Sequence, residues 1–545
     1  MTRSVAVPDL DIQSHLPELL RLFDAVRAAD EFSPRKLNAL AVKHVHERGL
    51  PVPQSSIIEA YRQLTAQGVI PFEAHVLERL RLKPTRTISG VAPVAVLTGP
   101  YPCPADCIFC PEAKGIPRSY LPDEPAVQRA KRARFDPYRE TATRIQAMVN
   151  MGHSTDKVEL LVIGATWSAY PHKYQEWFIR RCFDAMNGQE SATLEEAQRV
   201  NETAAHRNVG MVVETRPDYI TLDEVRRMRW LGVTKVQLGA QSLDDTILAA
   251  NRRGHTVEAT RRAVRMLRLA GFKLHLHWMP NLLGATPESD REDFGRLWND
   301  PALRPDELKI YPCSLITGTE LYARWQAGEF RPYTDDELIE LLIACKQVVP
   351  PYCRLSRVVR DIPAQYIAAG STQSQLREVV QREMRRRGLQ CQCVRCREVR
   401  GEKLETGSLR LDDHAYATDA TLEHFLTYLT PDRGRLAGFL RLSLPRPDAP
   451  RDEVLDEVRG CAMIREVHVY GPALALGTAT PGEPQHSGLG KQLAEQAMEI
   501  ARRAGYRRIA VIAAIGTREY YRKLGFELGE PSAGSGRGLY MTRAL

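Results

Sequence analysis

The sequence has no apolar run long enough to cross a bilayer. Stretches such as VAPVAVL (91–97) stop far short of the roughly 20 residues a spanning helix needs. The first twenty residues, MTRSVAVPDLDIQSHLPELL, lack the uninterrupted apolar core of a secretory signal. Internal repeats and low-complexity tracts are also missing, which argues against solenoids and disordered scaffolds. The eleven cysteines are clustered rather than spread as a disulfide framework. Without an export signal, clustered thiols point to metal binding, and a cytoplasmic location with no membrane partner is expected. Acidic residues fall short of basic ones, 67 against 75, for a net charge of +8. That balance alone is a weak pointer to a polyanion partner.

At 545 residues the chain exceeds the size of a single core, so about two to four domains are expected. Residues 1–80 alternate helix-like apolar spacing (LPELLRLFDAVRAA, SSIIEAYRQLTAQG) with Pro breaks, which suggests a small helical domain. Between 81 and 312 six short apolar runs recur: VAVLT, VELLVIG, VGMVVET, TKVQLGA, KLHLHWM and ELKIY. Helical stretches separate most of them. Alternating β and α at this spacing predicts a partial (β/α)6 barrel of parallel strands, with ligands at the C-terminal strand ends. Residues 313–404 read as a basic linker with a second cysteine cluster. Residues 405–545 read as a separate α/β domain, opening with antiparallel strands (LEHFLTYLT, RLAGFLRLSL).

Cys103, Cys107 and Cys110 (CPADCIFC) follow directly on the first strand. A [4Fe–4S] cluster held by three thiolates leaves one iron open for another ligand. A zinc knuckle borrowing a fourth ligand is the bland alternative. Phe109 and the β/α repeat favour the cluster. The spacing resembles the radical S-adenosylmethionine (SAM) superfamily, in which the amino and carboxylate groups of SAM chelate the open iron. The longer motifs extend that resemblance. CPADCIFCPEAKGIPRSYLPDEPAVQRAKRARFDPY, ETRPDY, KVQLGAQS, HWMPNLLGAT, HVYG and YYRKLGF are together similar to the catalytic acetyltransferase subunit of Elongator, from about residue 80 to 545. The resemblance implies SAM contacts near Gly164, Glu214 and Gln241. Gly164-Ala165-Thr166 stands where many superfamily members have Gly-Gly, and Glu214 and Gln241 are equally readable as solvated strand ends.

QHSGLGKQLAEQAMEIARRAG (485–505) is a glycine-rich turn opening a helix, a geometry that suits a pyrophosphate. Its place between the strands REVHVYG and RIAVIAAIG matches the GCN5-related acetyltransferase fold. The resemblance implies that Glu466, Val467, His468 and Val469 meet the pantetheine of acetyl-CoA through their backbone. Gln485, Gly488, Leu489, Gly490 and Lys491 would form the diphosphate turn. Tyr521 would protonate the leaving thiolate. A half-buried packing role suits Tyr520 better than Tyr521. For His468 a general-base role and a backbone-only role stay open. Lys157, just before the second barrel strand, matches a family lysine that contacts acetyl-CoA, and equally reads as a solvated strand-edge lysine.

CQCVRC (391–396) offers Cys391, Cys393 and Cys396, and Cys313 is taken as the fourth ligand of a structural zinc because YPCS follows a strand. Cys182 and Cys461 read as core. Three basic stretches, RLRLKPTR, QRAKRARFDPYR and REMRRR, supply Arg79, Arg81, Lys83, Arg86, Lys131, Arg132, Arg385 and Arg386 as candidate phosphate contacts. The resemblance supplies the substrate, the wobble uridine of a tRNA anticodon, and leaves a homodimer open. C5 of uracil is a poor nucleophile. A SAM-derived 5′-deoxyadenosyl radical could take a hydrogen from the acetyl methyl group, and the resulting carbon radical could add there. Thioester hydrolysis would leave a carboxymethyl group, the product the resemblance implies. Two rivals stand beside this enzyme: a protein lysine acetyltransferase with a structural cluster, and a tRNA-binding scaffold with a regulatory acetyl-CoA site.

Overall fold

The computed structural model describes residues 10–30, 32–45, 52–87, 89–373, 375–399, 404, 406–471, 488–530 and 538–545. Four helices, α1 (Leu16–Ala28), α2 (Pro34–His44), α3 (Gln54–Ala66) and α4 (Ala74–Leu80), open the chain. Their apolar faces meet in one small core around Leu22, Phe23, Ile58 and Tyr61.

The next unit is a parallel sheet whose strands pair in chain order: β1 (Ala92–Leu97), β2 (Lys157–Ile163), β3 (Arg207–Thr215), β4 (Lys235–Gln241), β5 (Lys273–Trp278), β6 (Glu307–Ile310) and β7 (Arg354–Arg357). Six of these are the strands read from the sequence. The seventh, RLSR, is too short and too polar to announce itself. It comes from the segment read as a linker and pairs parallel to β6.

The helices between strands start on threonines. Thr193, Thr221, Thr256 and Thr286 each accept a hydrogen bond from the backbone N–H three residues on, satisfying a donor the first turn leaves open. Val158, Leu160, Val213, Val236, Leu238, Leu274, Leu276 and Leu308 face these helices in a continuous core. The opposite, inward positions are polar. Glu159, Lys235, Gln237, Lys273, His275, His277, Glu307, Lys309, Arg354 and Ser356 all line the interior. A parallel sheet buried on both faces is normally apolar throughout, so this alternation marks a lined chamber rather than a packed bore.

The C-terminal sheet has strand order β8 (Arg410–Ala417), β9 (Thr421–Leu429), β10 (Leu436–Pro445), β11 (Ala462–Val469), β12 (Arg508–Val511), β14 (Met541–Ala544), β13 (Glu527–Leu528). β11 and β12 run parallel, paired over Ala462–Ile464 and Ile509–Val511, and pair no further, so the two strands part beyond Ile464. On its other side β11 carries a bulge. Arg441 pairs with Glu466 and Leu442 with Ile464, leaving Arg465 as the extra residue.

That bulge seats the domain on the N-terminal ends of the barrel strands. Arg465 places two nitrogens at 2.7 Å from the two oxygens of Asp306, just before β6. It also bonds Glu423 at 2.7 Å. Arg441 reaches Glu466 at 2.9 Å and the Tyr352 carbonyl at 2.7 Å. Lys273 bridges Glu307 at 2.7 Å and Glu466. Gly516 lies so close to Arg207 and Asn208 that a Cβ there would come within 2.8 Å of the Asn208 carbonyl oxygen. Among the described residues no helix is long and apolar enough to cross a membrane.

Candidate active site

One cavity of about 830 Å³ runs from the three-cysteine loop, through the polar interior of the barrel, to the parting of β11 and β12. Cys103, Cys107, Cys110, Gly164, Ala165, Glu214 and Gln241 line one end. Glu466, Val467, His468, Ala513 and Tyr521 line the other.

At the first end the loop after β1 is held in place by its neighbours. Leu321 donates its N–H to the Ile108 carbonyl at 2.9 Å, and Arg118 reaches the Ala105 carbonyl at 2.7 Å. Arg253 donates to the Cys107 sulfur at 3.1 Å and to the Gly239 carbonyl at 2.8 Å. Hydrogen bonding from the Cys110 thiol, aided by Arg253, lowers the Cys107 pKa to about 5. A ready thiolate beside two further thiols is the donor set a [4Fe–4S] cluster needs.

Gly164 has φ +147°, and a Cβ there would fall 1.9 Å from the Thr98 hydroxyl, so only glycine fits. Ala165 follows it on the cavity wall. Gln241 adopts φ +69°, and its side-chain oxygen is buried without a partner. Such an orphaned acceptor at the mouth of a barrel suits a bound amino or hydroxyl donor. Glu214 accepts from Lys309 at 3.2 Å. Lys309 also meets Gln237, which bonds His277 at 2.8 Å.

Further in, His275 lies 2.8 Å from the Ser356 hydroxyl and 3.2 Å from Glu307, and Lys235 pairs with Glu159 at 2.7 Å. Burial pushes His275 and His277 well below the ordinary histidine range, so both rings are neutral. Lys157 is the first residue of β2, beside Arg207 and thus at the barrel end that meets the second domain.

At the far end the helix Leu489–Arg503 begins on Gly488, whose φ of +80° turns the chain into it. A Cβ at Gly490 would come 3.0 Å from the Tyr520 hydroxyl. Lys491 is exposed and lies 3.7 Å from Glu495. Gln485 falls outside the described residues. Tyr521 is buried against Phe526 with its phenol pKa raised by burial, whereas Tyr520 is exposed. His468 packs between Phe439 and Tyr470. Burial lowers its pKa to about 4 and leaves Nε2 without a partner.

The second cysteine group is real in space. The sulfurs of Cys391, Cys393 and Cys396 lie within 4.8 Å of one another. The fully buried Lys346 ammonium is 3.9 Å from Cys396. Hydrogen bonds from its two neighbours hold Cys393 well below the usual thiol range. Cys313, expected as the fourth ligand, is not there. It is buried with Ala105, Cys107, Phe109 and Leu282 beside the first cysteine loop. The reason is strand direction. Cys313 follows the C-terminal end of β6, whereas the CQCVRC loop docks where β7 begins, Val394 donating to the Cys353 carbonyl at 3.0 Å.

The basic candidates divide. Arg79 is spent on the Val26 and Arg27 carbonyls, and Arg81 on the Gly152 carbonyl. Lys83, Arg86, Lys131, Arg132 and Arg385 are exposed. Arg386 is exposed but paired with Glu383 at 2.6 Å. Sequence reasoning missed Arg253, Lys309, Gln237 and the whole interior network. Its signal was present, as polar residues at every second position of parallel strands.

Comparison with known proteins agrees with this geometry. The radical SAM superfamily profile matches residues 101–296, the radical SAM C-terminal domain residues 305–386, and the GNAT acetyltransferase family residues 397–526. The superfamily implies SAM and a [4Fe–4S] cluster, and the GNAT family implies acetyl-CoA. The tRNA uridine(34) acetyltransferase of Methanocaldococcus jannaschii is 39% identical over 523 residues, covering 93% of this chain and 95% of that one. Elongator complex protein 3 of Homo sapiens is 35% identical over 522 residues, covering 93% and 94%. The solved structure of Methanocaldococcus infernus Elp3 with an N-terminal deletion superposes with a TM-score of 0.71 at 39% identity, covering 84% of this chain and all of that one. With three thiols at one end of the chamber and parted strands at the other, the chain belongs to the family of the tRNA uridine(34) acetyltransferases and Elongator complex protein 3.

Proposed function

We propose that this protein is a tRNA uridine(34) acetyltransferase that builds a carboxymethyl group on C5 of the wobble uridine from acetyl-CoA. The carrying observation is the single cavity lined by both the three-cysteine loop and the parted strands of the acetyltransferase domain. Two chemistries served by separate pockets would suit a bifunctional protein. A shared chamber suits one reaction that needs both.

With the cluster and SAM bound, the site supplies a 5′-deoxyadenosyl radical. Cys103, Cys107 and Cys110 hold the cluster. Gly164 lets the chain pass close to SAM, and Gln241 and Glu214 accept from it. The backbone of Glu466–Val469 holds the pantetheine, and Leu489, Gly490 and Lys491 at the helix N-terminus hold the diphosphate. Lys157 meets the coenzyme at the junction of the domains. Tyr521, kept protonated by burial, donates to the departing sulfur. The anticodon loop brings the uridine to the barrel mouth splayed from its neighbours. A zinc at Cys391, Cys393 and Cys396 is the remaining metal.

The decisive experiment gives reconstituted enzyme reductant, SAM, tRNA and acetyl-CoA deuterated on the methyl group. Deuterium in 5′-deoxyadenosine and a new carbon substituent at uridine C5 are expected. Lysine acetylation without deoxyadenosine would overturn the reading in favour of a protein acetyltransferase.

A further inference from the structure

β1 is an edge strand, and α5 (Pro125–Arg132) and α6 (Pro137–Asn150) both pack on it. Arg129 from α5 lines the cavity, as do Ser89, Val91 and Ala95. Arg86 from the short helix Pro84–Thr87 lies near enough to raise the cost of charge on Arg129 and on Arg144 from α6, and Arg129 does the same to Arg144. Burial, then Arg129 and Arg86, lowers the Arg144 pKa to about 10. Among the described residues none of the three guanidiniums makes an ion pair or hydrogen bond, and Nε of both Arg129 and Arg144 is buried without a partner.

The nearby acid, Glu140, offsets Arg129 and Arg144 only through space and bonds neither. Glu140 stands one helical turn before Arg144, a spacing that normally pairs Glu with Arg. Its carboxylate instead accepts the Leu97 N–H at 3.2 Å, and its other oxygen has no partner. Arginines elsewhere on the cavity wall are matched: Arg253 to Cys107, Arg354 to Glu398 and Arg360 to Glu124. Gathering the exposed Arg86 with the half-buried guanidiniums of Arg129 and Arg144, and bonding no acid to any of them, is unfavourable unless an anion arrives from outside.

We infer that Arg86, Arg129 and Arg144 form a socket for a backbone phosphate of the bound tRNA, against the edge strand β1. Guanidinium groups match phosphate oxygens bidentately, and several can share one phosphate. Lys131, Arg132 and Arg134 follow Arg129 along the chain as exposed cations, a cluster suited to a polymer of phosphates. Arg129 and Arg144 were not among the candidates drawn from sequence. The inference rests on tRNA being the substrate.

The test compares the wild-type protein with Arg86→Gln, Arg129→Met, and Arg129→Met/Arg144→Met, measuring labelled tRNA binding across a salt series. Each single change should weaken binding, and the double change by about tenfold or more. The slope of log affinity against log salt should fall by about one per lost phosphate contact. Affinities for SAM and acetyl-CoA should not move. The exposed Arg86 and the charge-keeping Arg129→Lys, which should retain the salt slope, guard against misfolding as the cause. Variants with unchanged tRNA affinity and slope would overturn the socket. So would weakened acetyl-CoA binding with tRNA untouched, which assigns the anion to coenzyme A. Failure of the wild-type protein to bind tRNA would instead overturn the proposed function.

Discussion

Glu140 shows how much one buried carboxyl can set. Burial raises its pKa to about 7, well above the value of a free glutamate. The folded protein therefore holds this proton more tightly than the unfolded chain. The stability it contributes is fully present below the unfolded pKa and is lost as pH rises through 7. Glu140→Gln should abolish that loss, making the protein up to about 3 kcal/mol more stable at pH 8.5 and little changed at pH 4. Urea unfolding at both pH values decides it, and parallel pH dependence in the two proteins would refute the assignment. Single residues were unevenly legible in the sequence. CPADCIFC announced three thiols on the cavity wall by its spacing and its place after a strand, and Gly164 by its place at a strand end. Arg253, which bonds Cys107 across 146 residues of chain, carries no local signature.

At the scale of elements, the short segment from Asp306 into β6 carries the docking of the two sheets. Its carboxylate is completely buried and held low by Arg465 and Arg441 against the desolvation that opposes it. Asp306→Asn would leave two buried arginines under-compensated, at a cost of about 3–5 kcal/mol. Guanidinium denaturation should show the loss as a lower midpoint, and a change under about 1 kcal/mol would refute this role. Six strands were readable because their outward faces are apolar runs. β7 was not, because Arg354 and Ser356 face the chamber and only Leu355 faces the core. The bulge at Arg465 was equally hidden. REVHVYG reads as an ordinary strand, and the extra residue emerges only from pairing with β10.

For the whole molecule, the presence of a barrel sheet and a separate acetyltransferase-type sheet was legible because each carries its own motifs, whereas their junction was not. It is made of charges that look like solvated strand positions until the sheets meet. The second cysteine group belongs to this scale, since its loop ties the start of β7 to the start of β10 through Val394, Cys353 and the Val399–Leu436 contact. Elemental analysis should find about one zinc per chain, and Cys393→Ser should remove it while leaving iron content intact. A protein that never carries zinc, or keeps it after that substitution, would refute the site.

The shared chamber has a consequence for its variants. Its two ends are lined by different elements, the cysteine loop at one and β11 with the segment after β12 at the other. On the proposed function, the groups that grip coenzyme A, Lys157 apart, and those that hold the cluster belong to separate domains, so a change in one grip leaves the residues of the other untouched.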